Sequence, residues 1–176
     1  MRIQAIVLKN VEIREHDKMI ICYTQQAGKQ AYMAKSVSRS GSRQQAHLEP
    51  LNWIDFSAVE SARMPIIASA TSLTTFSKLK GSLPALAVAH FMCECFDKIV
   101  YDGQPDADLW RFLTATLSDL EERSFDVRSD WRSVLSGTYE ELMKVMGYGG
   151  DTSLIELHHS RLHSLSFFNE VMNGKA

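Results

Sequence analysis

The feature that most limits how this chain can fold is a change of hydrophobic period at Gly81. Before it, apolar residues come in short β-branched runs punctuated by turn formers. After it they recur at helical spacing over longer stretches. The 176 residues are therefore expected to form an α+β two-domain chain: a strand-rich module at 1–80 and an all-helical one at 81–176. Each length can bury a core without disulfide staples.

In the first module, residues 3–8 (Ile-Gln-Ala-Ile-Val-Leu) read as a strand and 11–18 as a charged connection. Residues 19–24 are nearly all apolar, a strand buried on both faces or sharply curved. Residues 25–29 form a hairpin loop in which Gly28 supplies positive φ. A third strand returns over 30–35, and a solvated loop without period follows over 36–45. Residues 51–56 and 65–70 give two more strands, with Pro65 tolerated at the start of the last. Five short strands in about 75 residues fit a small closed barrel of the OB type better than a sandwich of about seven.

In the second module Ser82 and Pro84 open a helix running to Tyr101, which Asp102-Gly103-Gln104-Pro105 breaks. Residues 106–122 make a second helix. Ser129 or Asp130 caps a third, which runs to Met146 and ends on the glycines from Gly147. Residues 153–172 are expected to make a fourth.

The net charge of -2 hides an asymmetry. Residues 1–80 carry eleven bases and six acids, giving +5, and the remainder carries -7. Such a split fits a nucleic-acid face on one module, or two modules that attract each other. Position decides: from Gly28 to Leu48 there is no acid, and Lys35, Arg39 and Arg43 stand on the loop between two strands. Single-strand-binding OB folds combine cations that track phosphates with rings that stack on bases. Lys35, Arg39 and Arg43 are the expected phosphate contacts, with Lys29 assisting from the hairpin and Tyr32 or Trp53 stacking on bases. Arg2, Lys9, Arg14 and Lys18 are of second rank, because they also suit the barrel rim or a partner.

Other chemistries find no support. Cys93 and Cys95 point about 200° apart on a helix, the wrong geometry for a metal. His159 and His163 have a chelating i, i+4 spacing but no cysteine or carboxylate motif joins them. His90 and Glu94 share a helix face and read as structural. There is no phosphate-binding glycine loop, nucleophile elbow or CxxC. The expectation is a protein that is not an enzyme, with no cofactor and no metal. No apolar run reaches the roughly 20 residues of a membrane span, and Lys9, Glu12 and Arg14 interrupt any leader-like start. Three cysteines, an odd number, suggest reduced thiols in a cytoplasmic protein.

Several stretches together resemble the N-terminal domain of the bacterial recombination mediator RecO. They are Ala5-Ile6-Val7-Leu8, Glu15-x-Asp17, Ile20-Ile21, Thr24-x-x-x-Gly28-Lys29, Ala34-Lys35, Arg39, Ser42-Arg43 and Pro50. The helix end Met146-Gly147-Tyr148-Gly149 is similar to the family's Leu-Gly-Tyr, and 162–168 more weakly to its C-terminal segment. The resemblance implies an OB barrel followed by a helical domain, and ATP-independent binding and annealing of single-stranded DNA, with double-stranded DNA as a further ligand. The partners it implies are RecR, the acidic C-terminal tail of SSB and, indirectly, RecA, which such proteins help load onto SSB-coated strands. A bacterial cytoplasmic protein that joins the nucleoid during repair is implied as well. Three departures stand out. Ser36 replaces a glycine expected after Ala-Lys, and Ile13 replaces an aromatic. The stretch after Gly150, where many members carry a four-cysteine zinc cluster, is short and holds no cysteine. Two rival readings remain: a protein-binding adaptor whose barrel does not touch DNA, and an RNA-binding OB module.

Overall fold

The computed structural model describes residues 2–126, 128–148 and 162–174. Strands β1 (Arg2–Glu12), β2 (Lys18–Thr24), β3 (Gly28–Ala34), β4 (Trp53–Val59) and β5 (Ile66–Thr74) close into a barrel in the order β1-β2-β3-β5-β4. This is the five-stranded OB barrel expected from the strand count. β1 is longer than its apolar run because it serves two neighbours. Residues 2–6 pair with β4 and residues 5–12 with β2, and the register shifts between Val7 and Lys9. Such an irregularity bends a strand enough to close a small barrel. The seam between β3 and β5 is parallel and consists of one pair, Met33 with Ile66.

Ala5, Val7, Ile20, Cys22, Tyr32, Ala34, Ile54, Phe56, Ile67 and Ala70 fill the barrel. Val37 and Leu48 join them from the long β3–β4 loop. At the β2–β3 hairpin Gly28 has φ +67°, and the Thr24 hydroxyl donates to the Gly28 carbonyl at 3.0 Å.

Among the described residues the helices are α1 (Ser77–Lys80), α2 (Leu83–Ile99), α3 (Ala107–Arg123), α4 (Trp131–Val145) and α5 (Ser164–Met172). The expected fourth long helix over 153–172 is described only from Leu162 onward, where α5 occupies its end. The chain divides into two compact units. One is Met1–Thr75 with Phe96–Ala107, the other Phe76–Cys95 with Asp108–Ala176. The division therefore differs from a cut at 80/81. The last turn of α2 and the segment after it belong with the barrel, because the Phe96 ring packs edge-on against Tyr23 at 5.1 Å.

Within the helical unit, Ala85, Ala87, Val88, Ala89, Phe91, Met92, Cys93 and Cys95 of α2 are all buried, as expected of a helix that is apolar nearly all round. Phe91 stacks obliquely on Tyr139 of α4 at 5.7 Å. Carboxylates complete three helix starts. Asp130 accepts from the N–H groups of Arg132 and Ser133 at α4. Glu121 accepts from Lys78 and Leu79 at α1. Glu94 accepts from the N–H of His163 at 3.0 Å, the N–H of Ser164 at 2.8 Å and the Ser164 hydroxyl at 2.5 Å. Burial pushes the Glu94 carboxyl up, but those three bonds outweigh it and hold it below the usual range. Glu94 is thus taken up by the start of α5. Cys22, Cys93 and Cys95 are buried, and none is in a disulfide.

Candidate nucleic-acid interface

The loop between β3 and β4 carries no long helix, yet it is tied down at several points. Asn52 donates to the carbonyls of Ala46 and His47 at 2.9 and 3.0 Å. His47 Nδ1 accepts the Ser72 N–H at 3.1 Å, and Gln44 donates to the Ala68 carbonyl at 3.1 Å. With Val37 and Leu48 plugged into the core, the loop's charged side chains turn to solvent. Lys35, Arg39 and Arg43 are exposed, and among the described residues none has a carboxylate within ion-pair distance.

The loop's entry is built on an unusual residue. Ser36 has φ +54°, a left-handed conformation that a Cβ makes costly and that glycine adopts freely. Ser36 thus takes up a backbone shape more usual for glycine. The Asp17 carboxylate compensates by accepting the Ser36 N–H at 2.8 Å, and Ser38 N–H donates to the His16 carbonyl at 3.2 Å. These bonds join the β1–β2 turn, which carries exposed Arg14, to the loop start, and half-buried Lys18 stands in register with Ala34, next to Lys35 in the chain.

Two expected residues do not join this group. Lys29 stands at the other end of β3, about 20 Å along the strand from Lys35 at 3.3 Å per residue. It is only 8% exposed. Its Nζ donates to the Asp97 carbonyl at 2.6 Å and lies 3.1 Å from Asp102 Oδ1. Reading it as a free cation on a hairpin loop is corrected, since it is the buried anchor of the segment after α2. Tyr32 is corrected too. It points into the barrel, 2% exposed, with its ring edge-on to Phe56 at 4.8 Å and its hydroxyl donating to Gln30 Oε1. Burial pushes its phenol up to about 12, ahead of smaller contributions from Cys22 and Glu60. A ring so enclosed has no face to offer a base. Trp53 is half-buried on the outward face of β4, in register with Ile6 and Thr74.

The outward face of β2 and β3 pairs Met19 with Met33 and Ile21 with Ala31. A cleft of about 630 Å³ opens there, lined among others by Ile21, Ala31, Lys29, Arg63 and Asp102. Arg63, exposed on the β4–β5 loop, was not singled out from sequence. Its place on the loop that OB folds use beside the β2–β3 face is the signal that could have found it.

In the helical unit the arginines are committed locally. Arg111 pairs with Asp108, Arg123 with Asp119 at 2.6 Å, and Arg132 donates to Asn173 at 3.2 Å. Arg128 is 96% exposed, 3.9 Å from Asp126. His158, His159 and Arg161 lie outside the described residues. Among the described residues no helix is long and apolar enough to cross a membrane.

Residues 1–76 match the family described as "Recombination protein O N terminal". The chain is similar to the DNA repair protein RecO of Rubrobacter xylanophilus, 31% identical over 159 residues, covering 85% of this chain and 62% of that protein. It is 31% identical over 121 residues to that of Geobacter metallireducens, covering 69% and 50%. It is 23% identical over 167 residues to that of Clostridium kluyveri, covering 94% and 63%. The chain thus spans less than two thirds of the length of these relatives.

Proposed function

The chain belongs to the RecO family through its N-terminal barrel, and on that premise we propose that it is a recombination mediator that binds and anneals single-stranded DNA in recombinational repair. The observation that carries this reading is the group Lys35, Arg39 and Arg43, exposed and without acidic partners among the described residues, on a loop that the core holds in place. Arg14 and Lys18 extend the group along the neighbouring turn. Fixed cations on a rigid scaffold track a phosphate backbone at small ordering cost. Annealing needs no catalytic centre, only a surface that neutralises two strands while leaving their bases free to pair.

With Tyr32 in the core, base stacking falls to Trp53 or to no ring at all, which favours binding that is indifferent to sequence. RecR, the SSB tail and, through them, RecA are the partners we carry over from the family, and the bacterial cytoplasm is the compartment. Arg128, almost fully exposed with Asp126 3.9 Å away, is the arginine we assign to an acidic tail.

Annealing of two complementary fluorescent oligonucleotides tests the reading. The chain is expected to accelerate pairing without ATP, and the joint change of Lys35, Arg39 and Arg43 to Ala is expected to abolish the acceleration. Unaccelerated pairing together with no retardation of labelled single strands would favour the adaptor reading instead.

A further inference from the structure

We propose that the cleft on the outward β2–β3 face is a second phosphate subsite for single-stranded nucleic acid, occupied from within by the Asp102 carboxylate until a strand displaces it. The proposal rests on the reading of the chain as a DNA binder and adds a site distinct from the Lys35–Arg43 loop.

Among the hydrogen-bond donors of this cleft, three carry the argument. Lys29 Nζ is fixed by its bond to the Asp97 carbonyl. Arg63 is exposed and has no carboxylate within ion-pair distance among the described residues. The third is the backbone of Ala31. Met33 N–H donates to the Pro65 carbonyl at 2.8 Å, and the Lys29 carbonyl accepts the Gly103 N–H at 2.9 Å. Residues 29 and 33 thus turn their backbone groups away from β2. By the two-residue alternation of a strand, Ala31 does the same, and it does so where β5 has already left β3. Its N–H and C=O therefore face the gap.

The acids of the cleft are not equivalent. Asp97 is engaged by Lys9 at 2.5 Å and is 12% exposed. Asp102 holds Lys29 at 3.1 Å yet is 83% exposed. A phosphate oxygen can take the place of Asp102 Oδ1 at little desolvation cost, while the Asp97 carbonyl keeps the ammonium in position. The exchange is one anionic oxygen for another, with Arg63 and the Ala31 N–H as contacts the carboxylate does not use. The apolar floor of Ile21 and Ala31 suits the sugar and base edges rather than a second charge.

The test is fluorescence anisotropy of a labelled oligothymidine with the full chain between about 50 and 400 mM salt. Asp102→Asn is expected to bind about eightfold tighter than wild type at about 50 mM, the gain shrinking to about threefold at about 200 mM. Its log–log salt slope should be steeper by about 0.7, the value of one released counterion. Lys29→Gln in the Asp102→Asn background should remove the gain. Arg63→Ala, at an exposed position, should weaken binding severalfold whatever Lys29→Gln does to folding. Glu122→Gln, an exposed acid on α3, should change nothing. Equal slopes for wild type and Asp102→Asn, or the same gain from Glu122→Gln, would overturn the subsite. Absence of binding by wild type and every variant would overturn the DNA-binding reading itself.

Discussion

Replacing Gly28 by Ala should unfold the barrel unit far more readily than any other glycine substitution at a like backbone angle. Two costs add. The first is conformational: φ is +67°, and a non-glycine residue there loses about 1 kcal/mol or somewhat more. The second is steric. A Cβ at Gly28 would sit 2.2 Å from the carbonyl oxygen of Gln104, 2.5 Å from its carbon and 3.0 Å from its nitrogen. All three are backbone atoms, so no side chain can rotate aside. The segment after α2 must move, which strains the Gly103 to Lys29 hydrogen bond, the Lys29–Asp102 pair and the bond from the Tyr23 hydroxyl to the Asp106 carbonyl. Overpacking of this kind costs about 1–3 kcal/mol, for a total of about 2–4 kcal/mol. At about 4–8 °C per kcal/mol for a unit of this size, the melting point should fall by about 8 °C or more. Gly103→Ala supplies the comparison, since φ there is +69° with nothing within 4 Å of the added carbon. It should cost the conformational part alone, about 1 kcal/mol. Urea unfolding of the full chain, followed by circular dichroism and tryptophan fluorescence, measures both. Equal losses for the two variants would refute the reasoning, because the close approach of Gln104 is the only difference invoked.

Ser36→Gly relieves the left-handed strain at φ +54° while keeping the N–H that Asp17 accepts, and should stabilise by about 0.5–1 kcal/mol; a urea midpoint shifted downward would contradict it. His90 is held below its ordinary value by burial and then by Lys80, so folding favours its neutral form. The stability this represents is present above the unfolded value near 6.5 and is lost as pH falls from there through the folded value. Urea midpoints compared at about pH 7.5 and 5.5 should therefore drop on acidification, and less so in His90→Gln.

Much of the fold was legible because local chemistry and global packing agree in it. The strand runs, the positive φ of Gly28, a cap at Ser129 or Asp130 and the helical period of α2 and α3 each follow from short-range rules, and the fold selects Asp130. The side of a strand that a residue faces was harder to read. In β3 the run Ala31-Tyr32-Met33-Ala34 is apolar at every position, so no alternation tells whether Tyr32 points in or out. The fate of Lys29 was harder still. Its partners Asp97 and Asp102 are about 70 residues away in sequence, one in a stretch that reads as ordinary helix and one in the Asp102-Gly103-Gln104-Pro105 break after it. Only the fold brings them together. Lys35, Arg39 and Arg43 were readable because exposure was the simple expectation for an acid-free loop, and the fold adds the pinning through Ser36, Val37 and Leu48 that makes the loop a fixed surface.

The most direct test of the central claim is the salt dependence of single-stranded DNA binding by wild type and by the variant with Lys35, Arg39 and Arg43 all changed to Ala. Three phosphates neutralised on a single strand contribute about 2 to the log–log slope at about 0.7 each. The account predicts that the triple variant loses that amount of slope together with most of its affinity at low salt, while its urea midpoint stays near that of wild type. A triple variant that binds with the wild-type slope and affinity would contradict it.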